Sequence, residues 1–180
     1  MVINKKQSGF TLIELLAVIG IITVLSTLGI VAARYALNNA KDKKAGYDCV
    51  AIARAIQFLG NDTGSWPGGL DVNSVAADDS ADFCVYTVDN CLHALSDNEA
   101  GLIGTDGSYI GWDGLYMPSL PNDPWGEQYF FDGNYQVKSD NTPCAGAGGC
   151  LPAVVVGSYG PNKQGHNSYE EDDIIFVLYK

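Results

Sequence analysis

The sequence predicts an α+β protein in which one long N-terminal helix comes first and a small sheet comes last. Three observations carry that prediction. Residues 10–33 form an almost unbroken apolar run with a single charge, Glu14, near its start. Downstream, Cys49, Ile52, Ala53, Ile56 and Leu59 recur at the spacing of one helical face. The aromatic and β-branched segments 129–131, 153–156 and 174–179 then lie in the last third of the 180-residue chain.

The apolar run is about 24 residues, or roughly 36 Å as a helix, which is enough to cross a bilayer. A secretory signal has a shorter apolar core, about 7–15 residues, closed by small residues at its cleavage site. Here Val31-Ala32-Ala33 is a poor cleavage site, and the small residue, Gly9, precedes the run. The amphipathic stretch is expected to continue the same helix over residues 34–60, with its apolar face on the sheet and Lys41, Asp42, Lys43 and Lys44 toward solvent. Gly60, Asn61 and Gly64 offer stop signals, and Pro67 forbids continuation. Residues 61–180 form the globular part.

The flanking charges conflict. Lys5 and Lys6 precede the span, whereas Arg34, Lys41, Lys43 and Lys44 follow it, so a positive-inside count places the C-terminus in the cytoplasm. The cysteines argue the opposite. Five are present, none in a C-x-x-C pair, which disfavours zinc or thioredoxin-like motifs. Leaving one unpaired permits more than a dozen two-bridge schemes. Proximity in polar, turn-rich segments selects Cys84 with Cys91 and Cys144 with Cys150, an arrangement suited to an oxidising compartment, while Cys49 is expected as a buried thiol in the helix. The disulfides outweigh the charge count.

A net charge of −11 argues against direct nucleic-acid binding, which needs clustered Lys and Arg. It suits a crowded, solvent-exposed protein or one that binds cations. No P-loop, nucleophile elbow, H-E-x-x-H or dinucleotide fingerprint occurs, and His93 and His166 stand alone, so the chain does not read as an enzyme.

The segment Gly9-Phe10-Thr11-Leu12-Ile13-Glu14, after a basic leader and before about twenty apolar residues, resembles the class III leader of type IV pilins and type II secretion pseudopilins. The resemblance implies a pilin-like fold, a long helix packed on a small antiparallel sheet. It also implies a leader of residues 1–9, cleaved between Gly9 and Phe10 by a prepilin peptidase, and N-methylation of Phe10. Residues 10–33 then form the membrane and filament-core half of the helix. The Glu14 carboxylate of one subunit would pair with the Phe10 amine of its neighbour, which relieves a buried charge and sets register. Many family members carry a proline where this chain has Val31. Gly20, Gly29 and Thr23, which can bond back to the backbone, remain for any local loosening.

Three further strings extend the resemblance. Asn61–Leu70 is similar to the D-x-G-x-Tyr-Pro step after the helix, with Trp66 for tyrosine. Asp123-Pro124-Trp125-Gly126, with Tyr129 downstream, is similar to the D-P-W-G-x-x-Y signature of the major, G-type pseudopilin. Ser158-x-Gly160 and Asp172-Asp173-Ile174 resemble that protein's calcium loop, which implies Ca²⁺ at Ser158, Asn162, Asp172 and Asp173, with Asn162 where the family often has aspartate. Residues 70–120 are the variable region, in which Phe83-Cys84-Val85-Tyr86-Thr87-Val88 is read as a short strand.

The expected function is that of a filament subunit, foremost the pseudopilus of a type II secretion system. It would be assembled from the bacterial inner membrane with its globular part in the periplasm. Its partners would be identical and related pilin subunits, the prepilin peptidase and an inner-membrane assembly platform. A surface pilin for adhesion, motility or DNA uptake is the alternative, and a membrane-anchored binding protein without a filament role is a third.

Overall fold

The computed structural model describes residues 9–83, 93–146, 148–164 and 169–180. Its main elements are helix α1 (Leu12–Thr63) and strands β1 (Phe130–Val137), β2 (Leu151–Ser158) and β3 (Ile174–Tyr179), joined by short 3₁₀ turns. This is the α+β, pilin-like arrangement. The chain divides into two compact units, residues 1–40 and 41–180.

In the first unit the helix leaves its apolar side chains uncovered, from Leu12 (82% exposed) to Leu37 (63%). It is long and apolar enough to cross a membrane. Thr23 and Thr27 return their hydroxyls to the carbonyls of Ile19 and Val24, at 2.6 and 2.8 Å, so neither leaves a bare polar group in the apolar stretch. Val31 sits in unbroken helix, as expected where no proline removes a ladder bond.

In the second unit the predicted face is the buried one. Cys49, Ile52, Ala53, Ile56 and Leu59 are all within 1% of complete burial and pack with Tyr129, Phe131, Val154 and Val156 of the sheet region. Burying each large aliphatic side chain contributes about 1.5–3 kcal/mol. The helix runs three residues past the Gly60 boundary, to Thr63. Gly60 lies inside the helix and is not its stop; it leaves room for the Trp66 ring, which would stand 2.8 Å from a Cβ there. The stop is Gly64, whose φ of +73° turns the chain out of the helix while its N–H reaches the Gly60 carbonyl at 2.9 Å.

The sheet is antiparallel with order β1-β2-β3. Alternation sends Phe131, Val154 and Val156 to the helix side, and Phe130, Tyr135, Ala153 and Val155 to a second cluster with Tyr159. There Phe130 stacks on Tyr159 at 4.4 Å between ring centroids, and Tyr169 meets Tyr135 edge-on at 4.8 Å. The register of β1 with β2 slips between Asp132 and Tyr135, where the Gly133 N–H turns to the Asp82 carboxylate at 2.8 Å. Phe83 forms a single antiparallel bridge with Phe131; the rest of the strand expected at 83–88 lies outside the described residues.

Candidate functional site

At the N-terminus Gly9 and Phe10 are exposed, Phe10 at 87%, and among the described residues beyond its chain neighbours nothing crowds Gly9. Glu14 is already engaged within its own helix. Its Oε2 accepts hydrogen bonds from the Thr11 N–H and the Thr11 hydroxyl, both at 2.8 Å, and the Thr11 hydroxyl oxygen accepts from the Glu14 N–H at 3.3 Å. This reciprocal pair is a capping box. It satisfies otherwise orphaned N–H groups at the helix start and places a carboxylate at the positive end of the helix dipole. The T-x-x-E spacing is itself a capping signal in the sequence, and it stands beside the pairing with a neighbour's Phe10 amine that the family resemblance implies.

The second region is built around Asp123. Its Oδ1 accepts the N–H groups of Trp125 and Glu127 at 3.0 and 2.8 Å, which closes the turn through Pro124 and Gly126. Its Oδ2 accepts the Ser158 hydroxyl at 2.6 Å, and the Ser158 oxygen in turn accepts the Gly160 N–H at 3.1 Å. Ser158 is fully buried and Asp123 nearly so. The two sequence strings are therefore one hydrogen-bonded unit, reinforced at the surface by Lys163 Nζ and Glu127 Oε1 at 2.9 Å. Aspartate at the first position of a turn signals its local bonds. Its bond to Ser158, 35 residues away, has no sequence signature.

Of the four residues expected around calcium, Asn162 and Asp172 meet directly. The Asn162 amide donates to Asp172 Oδ1 at 2.9 Å and also to Glu170 Oε2, and Asn162 Oδ1 accepts the Gln164 N–H at 2.7 Å. Asp173 is buried beneath them, with Oδ2 taking the Tyr135 hydroxyl at 2.6 Å. Its Oδ1 is buried with no hydrogen-bond donor among the described residues. Burial, with Asp172 and Glu170 nearby, holds the Asp173 carboxyl up at about 6 despite the Tyr135 bond. The Ser158 hydroxyl points to Asp123 rather than joining this group. Gly160 lets the strands close, since a Cβ there would stand 2.3 Å from the Asp172 carbonyl oxygen.

A buried carboxylate oxygen with no donor among the described residues, beside further carboxylates, is a place where a hard cation could be held. Asp172, Asp173, Glu170 and the Asn162 carbonyl oxygen, after an amide rotation, are the donors such an ion would use.

Cys144 and Cys150 form a disulfide. Cys49 carries a buried free thiol, pushed up to about 12 by burial and the adjacent Asp48. Cys84 and Cys91 lie outside the described residues, as does His166.

Two comparisons bear on identity. Residues 4–30 match the family model described as the prokaryotic N-terminal methylation motif. The chain is also 30% identical to the type II secretion system core protein G of Aeromonas hydrophila, over 126 residues covering 70% of this chain and 73% of that protein. No solved structure matches. With the methylation motif at one end, an alignment much longer than that motif, and a long N-terminal helix followed by a small antiparallel sheet, the chain belongs to the type IV pilin and type II secretion pseudopilin family, on its G-type branch.

Proposed function

We propose that the chain is a building subunit of the pseudopilus of a type II secretion system. It is inserted in the inner membrane with its globular part in the periplasm, cut between Gly9 and Phe10 by a prepilin peptidase, and N-methylated on Phe10. The observation that carries this reading is the uncovered apolar helix with one carboxylate at its start. Exposed apolar surface on this scale needs lipid first and other subunits afterwards. The Thr11 bonds stabilise the Glu14 charge while the helix stands alone in the membrane. During assembly Glu14 exchanges them for the Phe10 amine of a neighbour, a charge-assisted contact. The disulfide supports an oxidising, periplasmic setting for the globular part.

Calcium is proposed as the occupant of the Asp172–Asp173 end, where it would neutralise the carboxylates and tie the 160–173 loop to β3. Thermal melts of the chain with calcium and with chelator test it, and identical midpoints would remove it.

The filament reading is tested in the source bacterium. Gly9→Ala is expected to block leader removal, and Glu14→Ala to leave processing intact while abolishing secretion of exported enzymes. Normal secretion with lost surface fibres would instead assign the chain to a surface pilus. Normal filaments and secretion in both variants would leave an anchored binding protein.

A further inference from the structure

A second group of potential ligands, distant in sequence from the calcium loop, lies in the variable region. The candidate ligand atoms of His93, Asp97 and Glu99 all fall within 4.8 Å of one another, with His93 Nδ1 3.9 Å from Glu99 Oε1. We infer that these three residues form a binding site for a divalent transition-metal ion of the zinc class.

The segment that carries them is held in place at several points. Ala94, Leu95, Ala100 and Leu102 are buried in the core, so the intervening polar residues are fixed at the surface by their neighbours. Asp97 Oδ2 accepts the Ala94 N–H at 2.8 Å, which folds the chain back on itself and brings His93 toward Glu99. The Glu99 carbonyl accepts the Tyr109 hydroxyl at 2.6 Å, and the Gly101 carbonyl accepts the Trp112 indole N–H at 2.8 Å. The ligands thus stand on a tethered backbone, while His93 and Glu99, each 44% exposed at the side chain, keep freedom to close on an ion.

The chemistry of the set selects the ion. Tetrahedral ligands at about 2.0–2.2 Å from zinc lie roughly 3.4 Å apart, so side-chain movements of about 0.5–1.5 Å bring three of the four ligands into place. One imidazole with two carboxylates neutralises a dication and suits zinc-like ions. Calcium prefers six to eight oxygens. The cleft beside His93 and Glu99 is also lined by Ser80, Asp82, Asp106 and Ser108, and among the described residues no lysine or arginine lines it. Water or an incoming ligand can fill the remaining coordination position.

The experiment is calorimetric titration of Zn²⁺ into the tag-free full-length chain in mild detergent, stripped of metal and held at saturating calcium. One zinc per chain is expected, with affinity lowered at least tenfold in His93→Ala and in Glu99→Gln and unchanged in Asp172→Asn. Tryptophan fluorescence of each variant reports whether the fold survives; Glu99→Gln carries the test if His93→Ala does not fold. Absence of zinc binding in the wild type, or wild-type affinity in a folded variant of either ligand, overturns the site.

Discussion

Replacing Ser158 with alanine removes one oxygen and strands two buried partners. The Asp123 carboxylate loses a 2.6 Å hydrogen bond, and the Gly160 N–H loses its 3.1 Å acceptor. A hydrogen bond to a charged group contributes about 1.5–3 kcal/mol, and an orphaned buried donor costs about 1–3 kcal/mol. The two losses share one atom and do not simply add, so the expected destabilisation is about 2–4 kcal/mol. For a folded unit of residues 41–180 this corresponds to a melting midpoint lowered by on the order of 10 °C. Tryptophan fluorescence during denaturation in mild detergent is a suitable probe, because Trp125 sits in the same turn, its backbone N–H bonded to Asp123. A double-mutant cycle with Asp123→Ala should give a coupling energy of at least about 1 kcal/mol. A Ser158→Ala loss below about 0.5 kcal/mol, or strictly additive mutants, would refute the claim that this bond joins the turn to the loop.

Gly160→Ala should destabilise by more than about 2 kcal/mol, since it combines a φ of +67° with a Cβ 2.3 Å from the Asp172 carbonyl oxygen; near-wild-type denaturation would contradict that crowding. Cys49, buried and with its thiol pushed up to about 12, should resist thiol reagents at pH 8 in the native chain and react only under denaturing conditions. Rapid native labelling at Cys49 would show that the helix opens. The Asp173 carboxyl, held at about 6 against an ordinary 3.8, opposes folding when ionised. That penalty is absent below about pH 3, where both states are protonated, grows between the two values and is complete above about pH 7. With calcium chelated, Asp173→Asn should raise the midpoint at pH 7.5 much more than at pH 3, and equal effects at both pH values would rule the penalty out.

The sequence alone determined what depends on local pattern. The apolar run and the final strand at Ile174–Tyr179 were legible as continuous apolar stretches of the right length, and the face from Cys49 to Leu59 as a helical repeat. The methylation motif was legible because a glycine, an aromatic residue and one carboxylate stand at fixed spacing before that run. The Cys144–Cys150 bridge followed from the nearness of its partners in the chain. Tertiary structure decided what depends on residues far apart. It turned Gly60 from a stop signal into a seat for Trp66, and aimed the Ser158 hydroxyl at Asp123 instead of at the acidic loop. It also buried Asp173 against Tyr135, 38 residues upstream, with one oxygen lacking a donor among the described residues. The division has a physical reason: a helix or a turn is fixed by bonds between near neighbours, whereas the bonds of a buried polar group are fixed by whichever distant segment packs over it.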